Sequence, residues 1–201
     1  KGAGYGDFMQ VMWHGASLDA TTAGYLTALP LLVMLVSIWL KRVPLKKLFL
    51  PYYIIGAALI AIVFVVDMGL YPFWGFKLDA SIFLYLDSPK EAMASVSVGF
   101  ILLRLLVMVL LTGGVAWLMM KITPRELETV KNKMIGTLGM LLLGGCLFVI
   151  IRGGVTESTS NVGQVYFSSN QFLNHSAVNP CFSLLSSMGK SKDFASEFNF
   201  F

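Results

Sequence analysis

"MLLLGGCLFVIIRGGVTESTSNVGQVYFSSNQFLNH", residues 140–175, holds the boundary that decides the fold. Its first twelve residues carry no charge, and the apolar run extends back to residue 134. A stretch of 18 or more apolar residues is what a helix needs to cross the hydrocarbon of a bilayer. From Arg152 the composition changes abruptly to Ser, Thr, Asn and Gly. A loop between spans would soon return to an apolar run. Residues 152–201 contain no second one, so this segment reads as a tail that leaves the membrane and does not return within it.

The rest of the chain has the same character. Apolar residues make up 56% of the 201 and charged residues 13%, against about 45–50% and about 25% in soluble domains. Three further uncharged or nearly uncharged runs complete the pattern. The expected spans are 23–40, 52–70, 96–120 and 134–151, giving an all-α polytopic membrane helix bundle with interfacial helices. Asp19 or Thr21 is the expected cap of the first span, and Pro30 lies inside it. Gly113–Gly114 and Gly144–Gly145 fit close helix packing.

Orientation follows from the loops. Lys41, Arg42, Lys46 and Lys47 separate the first two spans, and Lys121, Arg125, Lys131 and Lys133 the last two. The loop between the second and third carries only Lys77 and Lys90. Basic loops stay in the cytoplasm, which puts the first residues, the 71–95 loop and the 152–201 tail on the outer side. Trp39 and Trp117 then fall near the inner interface, and Trp13 and Trp74 near the outer one, as amphipathic indoles prefer. The formal charge of +4 is a topology signal and marks no nucleic-acid partner. The opening "KGAGYGDFMQ" has no signal-peptide core, and the absence of Met at position 1 places the start of translation upstream.

Two segments outside the spans have structure-forming patterns. In "YPFWGFKLDASIFLYLDSPKEAMAS", residues 71–95, positions 79–86 fit a short helix in the outer interface, with Asp79 and Ser81 as caps. In the tail, "VYFSSNQFL" and "HSAVNPCFSLL" place apolar and aromatic anchors among polar residues. A flexible linker lacks such anchors. Short helices are expected at 171–173 and 180–188.

These stretches carry a family resemblance. Residues 67–97, "DMGLYPFWGFKLDASIFLYLDSPKEAMASVS", are similar to the outer loop of the lipoteichoic acid synthase-like membrane proteins of the sulfatase/alkaline phosphatase superfamily, Bacteroidetes type. Residues 152–188, "RGGVTESTSNVGQVYFSSNQFLNHSAVNPCFSLLSSM", resemble the segment after the last span in that group, and "WHGASLDATTAGYLTALP", residues 13–30, fits as well. The resemblance implies five spans followed by an extracytoplasmic catalytic domain with a Thr nucleophile and a divalent metal such as manganese. On that pattern the first span precedes Lys1 and the catalytic domain lies beyond Phe201. No position here matches its catalytic signature, so no catalytic residue is carried over. The implied setting is the bacterial cytoplasmic membrane, with the tail on the extracytoplasmic side. The implied role is to anchor the chain's own phosphotransferase-like or sulfatase-like domain and to present lipid to it.

Few residues within the 201 suggest chemistry. Arg104 stands inside the third span, where a charge is costly and is usually paired or functional. It fits an ion pair with Asp67 at similar depth, or a snorkel to outer phosphates. It also fits contact with an anionic phospholipid headgroup, in a site completed by Asp67 and Arg152. His14 and His175, with Asp7, Asp19 and Glu157, share the outer side but lack metal-ligand spacing. Thr156, Ser158 and Thr159 have no acid–base partner at a telling distance. The sequon at Asn174 is the kind of short motif that arises by chance. Cys146 in a span and Cys181 in the tail are separated by depth and fit unpaired thiols. Two other readings stay open: a non-catalytic scaffold subunit of an envelope complex, and a small transporter bundle. The latter lacks an inverted repeat and paired broken helices.

Overall fold

The structure, a computed structural model, describes residues 4–40, 43–83, 97–125 and 130–198. Among them are six α-helices and no strand: α1 (Tyr5–Ser37), α2 (Leu45–Trp74), α3 (Val98–Ile122), α4 (Lys133–Arg152), α5 (Gln171–Ala177) and α6 (Pro180–Phe198). A 3-10 turn covers Val162–Val165. The first four helices are long and apolar enough to cross a membrane. The chain is a multi-pass membrane protein with an all-α fold.

α1 pairs with α4, and α2 with α3, both antiparallel. In the first pair Gly24 lies against Leu147 and Ile151, Gly144 against Leu31, and Gly136 against Ile38. A Cβ at Gly24 would stand 2.8 Å from the Ile151 side chain, so this residue has to be small. In the second pair Gly69 faces Phe100 and Arg104, and the Tyr53 hydroxyl meets the Thr123 hydroxyl at 3.0 Å. Gly113, Gly114 and Gly145 face open space, so the double glycines contribute to packing only through Gly144. On α3 only Ala116 is buried, and on α4 nothing is. The side chains these helices turn outward, such as Leu102, Leu106, Val109, Leu138 and Leu142, are apolar. Lipid is the solvent that suits them.

Side chains cap the shorter helices. Ser97 Oγ accepts from Phe100 N at 3.2 Å, and Asn132 Oδ1 from Ile135 N at 3.2 Å. α4 stops at Gly153, whose φ of +90° only glycine adopts freely. The amide of Gly154 closes back on the Val149 carbonyl at 2.9 Å. At the basic-loop end Lys133 lies over the Trp39 ring and Lys121 over the Trp117 ring, at 5.5 and 5.0 Å. Trp74 and Phe76 stack at the other end.

The largest departure from expectation is at the start. The helix of the first span begins at Tyr5, with Asp7 Oδ2 accepting from Gly4 N at 2.8 Å. Asp19 and Thr21 therefore lie mid-helix and do not cap α1; the Thr21 hydroxyl instead donates to the Ile150 carbonyl in the last turn of α4 at 3.2 Å. The reason is tertiary. Val11, Gly15 and Leu18 recur at helical spacing and bury against the tail, with Leu18, Val165, Ala177, Val178 and Phe182 forming a small core. The expected tail helices are present and longer than expected. The expected helix at 79–86 begins with a turn, in which Asp79 Oδ1 accepts from Ser81 N at 2.9 Å, and Ile82 and Phe83 are helical; residues 84–86, and Val96, lie outside the described residues.

Candidate functional site at the tail end of the bundle

The functional side chains collect at the end away from the basic loops, where α1 and α2 meet the tail. Their placement begins with the C-terminus of α2. Gly75, at φ +71°, reverses the chain and donates to the Tyr71 carbonyl at 2.9 Å. The reversal brings Lys77 and Leu78 back over the helix. Asp67, 5% exposed, forms a salt bridge with Lys77 and accepts from Leu78 N at 2.9 Å. Both carboxylate oxygens are thus committed to the loop after α2.

His175 lies beside this pair. It is 5% exposed. Its Nδ1 meets the Tyr71 hydroxyl at 3.1 Å and its Nε2 the Gln171 side chain at 3.3 Å, with Tyr166 and Tyr71 packed around the ring. Burial pushes the imidazole below its ordinary 6.5, and the Lys77 charge acts in the same direction; Asp67 and the Gly75 backbone oppose them. The histidine fastens α5 to α2.

Asn179 makes the matching connection to α1. Its Nδ2 donates to Asp19 Oδ1 at 2.6 Å, while its Oδ1 caps α6 by accepting from Cys181 N at 2.9 Å and Phe182 N at 3.2 Å. Cys181 is buried next to these groups. Burial, with Asp67 and Asp19 adding, raises its thiol to about 11. Asn174 is buried too. It accepts from Phe167 N and Ser168 N at 2.9 Å each and donates to Ser168 O at 2.7 Å, so the sequon asparagine is a turn-former. His14 stacks on Phe167 at 4.6 Å.

The three residues singled out for a headgroup do not form one site. Arg104 lies against Gly69, two residues from Asp67, but Asp67 is taken by Lys77. Arg152 is at the end of α4, in the other helix pair. Its Nη1 donates to the carbonyls of Thr156 at 2.6 Å and Gly154 at 3.3 Å, closing the glycine turn. Thr156 and Ser158 bond within the same exposed turn. No three His, Cys, Asp or Glu side chains among the described residues converge as metal ligands, and both cysteines are free. Sequence reading missed His175 and Asn179 as the fasteners. The one signal was that both lie in "NHSAVNP" (residues 174–180), polar residues close to the apolar pair Ala177–Val178 that enters the core.

The fold and this end of the bundle define a class: a multi-pass helical membrane protein whose polar tail is folded onto the ends of two of its spans. No protein-family model, curated protein or solved structure matches the chain.

Proposed function

We propose that these residues form the membrane anchor of an envelope enzyme acting on phosphate or sulfate esters, and that the tail sets the position of its extracytoplasmic catalytic part. The observation that supports this most is the state of the tail. A simple tether would be free to swing. Here residues 160–183 share a core with α1, built on Leu18, Val165 and Phe182, and are bonded to α1 through Asn179 and to α2 through His175. α6 then carries the chain away from a fixed starting point. The resemblance to lipoteichoic acid synthase-like proteins supports a divalent-metal phosphotransferase or sulfatase-type hydrolase as that catalytic part. The loops rich in Lys and Arg support a bacterial cytoplasmic membrane with the tail outside.

The test is to recover the protein from its native membranes with an antibody to the tail and measure intact mass and metal-dependent phosphoester cleavage or transfer. The expected result is a mass well above the 22.1 kDa of these residues, with activity lost on chelation. A mass near 22.1 kDa without activity overturns the enzymatic reading and leaves the scaffold one.

A further inference from the structure

Arg104 is a cation for which the described residues supply no anion. Its Nε is buried and has no hydrogen-bond partner among them. The guanidinium lies over the Phe100 ring at 4.8 Å. A cation–π contact of this kind attracts the charge but leaves the N–H groups unsatisfied. Asp67, the nearest carboxylate in sequence to the facing Gly69, is held by Lys77 and Leu78 N. The buried Nε–H therefore calls for a partner that the described residues do not supply.

The surroundings say what kind. Leu102, Leu103, Leu105 and Leu106 on the same helix are exposed, an apolar surface that suits acyl chains. Arg104 is six residues past Val98, the first of α3, which is about 9 Å along the axis. Side chains lean toward the N-terminus of their helix, so the guanidinium reaches toward the nearer interface. A ligand meeting both conditions joins an anionic oxygen group to long apolar chains, and a planar guanidinium fits a phosphate in a two-point bond. We infer that Arg104 binds the phosphate of an anionic phospholipid lying along the α2–α3 pair, with its acyl chains on the exposed leucines. The inference needs only the membrane setting and is independent of the enzymatic reading.

The test uses the chain in dodecyl maltoside micelles, following thermal unfolding and lipid retention by native mass spectrometry. The additives are phosphatidylglycerol, diacylglycerol of the same chains, and inorganic phosphate. Phosphatidylglycerol raises the unfolding temperature; diacylglycerol, which lacks phosphate, and inorganic phosphate, which lacks chains, do not. Arg104→Gln lowers lipid retention about tenfold or more, the scale of one charge-assisted contact, and Arg104→Lys retains part of it. Gly69→Asp covers the case in which Arg104→Gln does not fold. A Cβ at 69 is 3.9 Å from Arg104 Nε, so the new carboxylate supplies an internal partner. This variant stays folded in lipid-free micelles and loses its response to phosphatidylglycerol. Wild-type retention in Arg104→Gln overturns the inference, as does a full response in Gly69→Asp or an equal shift from diacylglycerol or inorganic phosphate. Loss of stability in Arg104→Gln with no lipid dependence also overturns it, because the partner then belongs to the chain itself.

Discussion

Asp67 and Arg104 lie on facing helices near the same end of the bundle, yet they do not pair. Linear position along two spans gave their similar depth. It could not give the turn at Gly75, which returns Lys77 to Asp67 before any contact with α3 is needed. Lys77→Met leaves a buried carboxylate without its cation and should cost about 3–5 kcal/mol. The double variant Asp67→Leu/Lys77→Met should recover most of that loss. Denaturation of the four members of the cycle measures both; equal stability of Lys77→Met and wild type would remove the pair from the account. His175 makes a second prediction at this scale. Its folded pKa is lowered, so protonation favours the unfolded chain. The contribution of His175 is fully present above its ordinary 6.5 and declines as the pH falls from there toward the lowered folded value. Stability measured across this window should fall with acidity, and His175→Gln should flatten that slope.

At the scale of elements, the four apolar runs were legible because charge-free stretches of that length have few other uses. The helices α5 and α6 were legible from anchors spaced among polar residues. The true start of α1 was not. Residues 5–22 are weakly apolar and include Asp7, His14, Ser17 and Asp19, so they contribute little to a hydropathy signal. They are helical because Gly15 and Leu18 meet the tail, a contact between residues more than 140 positions apart. Gly15 is the closest point: a Cβ there would stand 2.8 Å from the Ala177 carbonyl oxygen. Gly15→Val should lift α5 from α1 without disturbing the spans. Cys181 gives the readout. Buried, with its thiol raised to about 11, it should resist maleimide at about pH 7.5 in the wild type and react in Gly15→Val while helix content is unchanged. Equal protection in both would contradict the contact.

At the scale of the whole molecule, two helix pairs touch each other sparingly, and α6 contacts both α1 and α2. The tail is therefore part of what holds the pairs together, as well as a place from which the chain departs. That arrangement could not be read from the sequence, because hydropathy gives spans and sides but not partners. The tripartite headgroup site failed for the same reason: Arg152 belongs to α4, which packs on α1, while Arg104 belongs to α3, which packs on α2. Whether the tail can position an outward-facing domain depends on which side of the membrane it occupies.

The most direct measurement is labelling of single introduced cysteines by a membrane-impermeant maleimide in intact spheroplasts. Val155, 85% exposed in the turn after α4, and Lys131, in the basic loop before it, are the positions to use. Val155→Cys should label before lysis and Lys131→Cys only after it. Labelling of Lys131→Cys in intact cells, with Val155→Cys protected until lysis, would put the tail in the cytoplasm and contradict the account.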